Sequence, residues 1–67
     1  MVEIRDCLGK LVCMVDAERG LVERRTSKDI ITMILSVGDK VAFESKQSYV
    51  QLELKDGPIF YVNSYRN

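Results

Sequence analysis

The sequence predicts an all-β fold, a small meander of five to six short strands forming a compact barrel or a strongly twisted sheet. Three observations carry this expectation. Gly9, Gly20, Gly38 and Gly57 punctuate the chain, and each has an aspartate within a few residues, which is the chemistry of tight turns. The segment from Tyr49 to Lys55 alternates, with Val50, Leu52 and Leu54 on one face and Gln51, Glu53 and Lys55 on the other, the two-residue period of a half-buried strand. Asp56-Gly57 then gives way to Ile59-Phe60-Tyr61-Val62, so two strands flank a hairpin turn.

The remaining elements follow in chain order. Val2-Glu3-Ile4-Arg5 alternates apolar and charged residues and reads as the first half-buried strand. Asp6-Cys7-Leu8-Gly9-Lys10 fits a type I turn in which glycine supplies the positive φ of a following bulge. That turn sets Cys13 opposite Glu3 or Ile4 and leaves Cys7 in the loop. Leu11 to Val15 is continuously apolar, so a central strand covered on both faces is expected. Asp16 to Gly20 forms a second turn, and the more polar Leu21-Val22-Glu23-Arg24-Arg25 is expected near an edge.

Thr26 to Val37 supports two readings. Ile30, Ile31, Thr32, Ile34 and Val37 are β-branched, which favours a strand. Ile30, Ile31, Met33, Ile34 and Val37 also fit a helical stripe with Ser27 as N-cap and Gly38 as terminator, so one short helix over residues 27–35 is the variant. Gly38-Asp39 begins the next turn, and Val41 and Phe43 share a face of the strand after it. Pro58 has no amide hydrogen and marks a strand start or an edge, while Asn63 to Asn67 reads as a polar tail.

Composition narrows the function classes. Residues 1–67 are expected to form a single small domain, and a chain of this size buries only about 60% of the surface it exposes when unfolded. Its 46% hydrophobic and 30% charged content is that of a globular chain rather than a disordered one. Small domains without metals or multiple disulfides often gain burial by self-association, so a homo-oligomer is among the expected states. Ten basic and ten acidic residues balance, and no overall field draws the chain toward nucleic acid or an anionic membrane. No apolar run approaches the roughly 18 residues that span a bilayer, and no charged-then-apolar leader opens the sequence. A cytoplasmic protein without a membrane partner is expected. Cys7 and Cys13 are too few for a disulfide framework.

The same inventory leaves no candidate catalytic, cofactor-binding or metal-ligating residues. The absence of histidine removes the commonest general base and zinc ligand, and two cysteines alone cannot complete a four-ligand site. Isolated glycines exclude the phosphate-cradling loops. Asp6, Asp16, Asp29, Asp39 and Asp56 all fall at turns, where their side chains accept hydrogen bonds from nearby amides. An enzyme is therefore not expected.

Two groups of residues remain. Ile30, Ile31, Met33, Ile34 and Leu35 hold more apolar side chains than one sheet face can bury, and such a surplus marks an interface with a protein partner, a second copy of the chain included. Arg19, Arg24, Arg25 and Lys28 form a weakly basic stretch, and Tyr49 and Tyr61 fall on the outward positions of the last two strands; together they make nucleic-acid contact the alternative. The run Val41-Ala42-Phe43-Glu44-Ser45, Tyr49-Val50-Gln51-Leu52, Lys55-Asp56-Gly57 and Tyr61-Val62 resembles a stretch of LytTR-type DNA-binding domains, over under a third of the chain. That resemblance implies DNA contact and adds to the alternative. The leading expectation is a non-enzymatic protein-protein interaction module.

Overall fold

The computed structural model describes residues 1–67 as seven strands. They are β1 (Val2–Arg5), β2 (Leu11–Asp16), β3 (Leu21–Arg25), β4 (Ile30–Ile34), β5 (Lys40–Glu44), β6 (Ser48–Lys55) and β7 (Ile59–Arg66), with one 3-10 turn at Ala17–Arg19. All pairings are antiparallel between neighbours in sequence. The meander is as expected, but it has seven strands rather than five or six. It also neither closes into a barrel nor stays one sheet: β1-β2-β3-β4 and β5-β6-β7 are separate.

The division happens within a few residues. Leu35 N still donates to Gly20 O at 2.8 Å, extending the β3–β4 ladder, while Gly38 N already donates to Leu54 O at 2.7 Å in the second sheet. Between them Ser36 N donates to Asp39 Oδ2 at 2.8 Å and Asp39 N to Ser36 O at 2.9 Å, a closed turn that redirects the chain. Gly20 makes the crossing possible. Its φ is +64°, and a Cβ there would overlap the Leu35 carbonyl oxygen, so no larger residue fits beneath the crossover.

The two sheets bury a small common core. Ile4, Cys13, Val15 and Val22 from the first sheet meet Val50 and Leu52 from the second, with Met33, Leu35, Val41, Phe43 and Phe60 around them. Each is the inward member of an alternating strand. Ile4 pairs with Cys13, as the first turn predicts, and the register then slips so that Arg5 pairs with Leu11 and Val12 is the extra residue of a bulge.

Residues 27–35 contain strand β4, the reading their β-branched side chains favour, and not the helical variant. Three local expectations are corrected. β2 is internal, but its outer face is open: Leu11 is exposed and Met14 only half-buried, because no layer covers that side. β3 is internal as well, paired on both sides, and β4 takes the edge. Asn63 to Arg66 belong to β7 rather than to a tail, since β6 is long enough to pair with them through Ser48–Arg66.

Candidate protein interface

Two open sheets leave four edge strands, and their hydrogen-bond phase says which residues face outward. In an antiparallel ladder alternate residues bond to the partner strand while the others turn their N–H and C=O away from it. Thr26 N donates to Asp29 O and Leu35 N to Gly20 O at the two ends of the β3–β4 ladder. By alternation Arg24 bonds with Ile31 and Val22 with Met33, so the main-chain groups of Ile30, Thr32 and Ile34 point to the open edge. Applied to the other ladders, the same phase opens Glu3 and Arg5 on β1, Lys40, Ala42 and Glu44 on β5, and Phe60, Val62, Ser64 and Arg66 on β7.

Two of these edges are protected. Charged side chains discourage another strand from docking, because pairing would desolvate them. β1 carries Glu3 and Arg5, joined at 3.1 Å, and β5 carries Lys40 and Glu44. β7 carries a charge only at Arg66; its Ser64 hydroxyl, on the inner face opposite Val50, accepts a hydrogen bond from Cys7 N at 3.0 Å, and no bond reaches the main-chain groups of its edge. β4 has no such device. Its five residues are uncharged, and Ile30, Ile31 and Ile34 are 61%, 48% and 69% exposed.

The predicted apolar block is therefore split. Ile30 and Ile34 lie on the outer face of β4 and Ile31 on the inner face, where the second sheet does not reach it. Met33 and Leu35 are half-buried and pack against the core. The surplus that the sequence suggests resolves into three exposed isoleucines on one unpaired strand.

The predicted basic and aromatic residues do not converge. Arg19 sits beside Asp16, at 3.9 Å, where β3 begins, whereas Arg25 and Lys28 lie at and beyond its other end. Arg25 Nε donates to Glu23 Oε1 at 2.9 Å. Arg24 points inward, its guanidinium 4.8 Å from the centre of the Phe43 ring. Tyr49 and Tyr61 occupy the outer face of the second sheet: Tyr49 stacks on Tyr65 at 4.9 Å, and the Lys55 ammonium lies 4.6 Å over Tyr61. One face of each ring is thus occupied by the chain itself, where base stacking needs a free one.

Asp6 is the polar feature that sequence reasoning understated. Its Oδ1 accepts hydrogen bonds from Leu8 N at 2.9 Å and Lys10 N at 2.8 Å, as a turn aspartate does, and its Oδ2 accepts one from Ser48 Oγ at 2.7 Å. The Ser48 bond and the two amides hold its carboxyl below the ordinary value of 3.8. All three of these bonds serve the fold. Asp39 also accepts from a backbone amide, whereas Asp16 makes no such cap.

The remaining chemistry is sparse. Burial pushes the Cys13 thiol up to about 11, with the nearby Arg24 charge acting in the opposite direction, so at neutral pH it carries no nucleophilic thiolate. Cys7 is exposed in the first turn. No group of three cysteine or carboxylate side chains converges as a metal site would require. The largest hollow, about 360 Å³, is an open groove along Gln51, Glu53, Tyr61, Val62 and Asn63. No buried side-chain nitrogen or oxygen lacks a hydrogen-bond partner. No helix is long and apolar enough to cross a membrane. The segment that resembles LytTR-type domains spans the second sheet, β5 to β7. No family model, curated protein or solved structure matches the chain.

Proposed function

We propose that the domain is a non-enzymatic protein-interaction module that accepts a strand of another chain along β4. The observation that carries this reading is the contrast between edges: β4 alone combines outward main-chain groups, exposed isoleucines and a complete lack of charge. Strand addition uses those features directly, since main-chain hydrogen bonds supply affinity and alternate side chains supply specificity. A soluble domain with an unguarded edge of this kind aggregates unless something covers it, so a cognate partner is the simplest reason for keeping it.

Nucleic-acid contact has less support. Its candidate residues lie at opposite ends of β3, on both faces of the first sheet and on the far side of the second, so no single surface presents them together.

The test is an amide NMR titration with a lysine-flanked peptide of alternating threonine and isoleucine. Shifts are expected first at Ile30, Thr32 and Ile34, and they should vanish in a Thr32→Pro variant, whose proline blocks the open edge. Oligonucleotide binding that weakens steeply with salt and is lost on Arg25→Ala with Lys28→Ala would replace this reading with the other.

A further inference from the structure

We infer that the cleft where the two sheets part, between the first turn, β2 and the end of β5, binds a monocarboxylate on a short apolar stem. The site is independent of the β4 edge, none of whose residues lines it. Leu11 and Val12 of β2 and Phe43 of β5 form its apolar wall, and Asp6, Lys10 and Arg24 supply its charged side chains. Glu44 borders it too, but Phe43 faces the core, so alternation puts the Glu44 side chain on the outer face opposite Tyr49.

Arg24 stands apart among the cations. Of the ten lysines and arginines it is the only one that is not exposed. A cation drawn out of water is costly unless an acceptor meets it. Arg24 has none: it takes part in no ion pair and no side-chain hydrogen bond, and its guanidinium is met only by the Phe43 ring at 4.8 Å. A ring covers one plane of a guanidinium and leaves the N–H fork at its rim free. The carboxylate of the cleft does not claim that fork, because Asp6 is already held by Leu8 N, Lys10 N and Ser48 Oγ. Lys10 likewise makes no ion pair.

Charge and size select the ligand class. Arg24 and Lys10 against Asp6 leave one positive charge in excess, so a monoanion balances the cleft and a phosphate dianion does not. The guanidinium fork matches the paired oxygens of a carboxylate. The hollow is about 100 Å³. A cavity of about 150 Å³ admits benzene, so about four heavy atoms fit here, a carboxylate and its first carbon. The rest of the stem runs along Val12 toward the exposed Leu11. Such a head occurs on a free acid and at the C-terminus of a peptide.

The test is an NMR titration of the whole chain at constant ionic strength with acetate, propionate and butyrate, with sodium chloride as reference. Saturable shifts are expected at the Leu11, Val12 and Phe43 amides and at the Arg24 Nε–H. Affinity should rise about two- to four-fold with each added methylene, since each meets the apolar wall. Butyramide, which has the same shape and no charge, should bind at least ten-fold more weakly than butyrate. Arg24→Gln removes an unpaired cation; it should keep the fold and weaken butyrate at least ten-fold. N-acetylalanine binding more tightly than butyrate would assign the head to a peptide terminus, and binding more weakly would assign it to a free acid; both orders support the site.

Butyrate shifts no larger than those from chloride, or equal binding of butyramide, would overturn the inference. Tighter binding of inorganic phosphate than of butyrate would do the same. Should Arg24→Gln fail to fold, the acid-against-amide comparison in the unmodified chain decides, together with Lys10→Gln, which changes an exposed side chain and should also weaken butyrate.

Discussion

Asp6 shows how much of this fold hangs on a single side chain. Its carboxylate closes the first turn through the Leu8 and Lys10 amides and reaches Ser48 at the start of β6, so it ties the first hairpin to the second sheet. Because its folded-state pKa lies below 3.8, folding favours the ionised form. The resulting stability is complete above the unfolded-chain value and is lost as pH falls through the folded one. The urea midpoint of unfolding should therefore drop as pH is lowered from about 5 to about 3. Asp6→Asn keeps the shape but cannot carry the charge; it should lower the midpoint at neutral pH and flatten the acid drop. A drop of undiminished size in the variant would assign it to other carboxylates. Half of this role is legible in the sequence, since an aspartate three residues before a glycine marks a turn. The other half is not, because Ser48 lies 42 positions away and nothing local announces the contact. Arg24 is similar: its place in a polar strand suggests solvent, yet strand parity turns it inward over Phe43.

At the level of elements, periodicity reads well where one face is buried and the other wet. β6 keeps Val50, Leu52 and Leu54 buried, as its alternation requires, and the Asp56-Gly57 turn joins it to β7. β4 is less legible, because apolar residues in succession do not say which of them faces what. Neither its position at an edge nor the phase of its hydrogen bonds follows from its own residues; both depend on where the chain crosses to the second sheet. That phase makes a sharp prediction about proline. Thr32 turns its N–H to the open side, so Thr32→Pro removes no ladder bond, whereas Ile31→Pro removes one to Arg24. Ile31→Pro should cost about 1–3 kcal/mol more than Thr32→Pro in urea denaturation followed by circular dichroism. A larger loss for Thr32→Pro would mean that the alternation is offset by one residue and that Ile31 and Met33 face the edge instead.

Over the whole molecule the limiting quantity is the amount of core. Eleven of 67 residues are buried, and Val22, Val50 and Leu52 are the largest fully enclosed side chains. Leu52 pairs with Val41 on one side and Val62 on the other, while its side chain meets the first sheet, so it holds the two layers together. Truncating a buried leucine to alanine costs about 2–5 kcal/mol, because the lost apolar contact is compounded by the cavity it leaves. A single core in a domain of this size supplies only about 3–5 kcal/mol in total. Leu52→Ala should therefore leave the chain largely unfolded at 25 °C, seen as loss of the strand signal in circular dichroism. Ile34→Ala offers the matching control, since at 69% exposure its removal from the isolated chain should change stability by less than about 0.5 kcal/mol. Measured at low protein concentration, where any pairing through β4 is dissociated, the two variants separate the core from the edge. A folded Leu52→Ala protein with near-normal stability would show that the two sheets do not depend on each other.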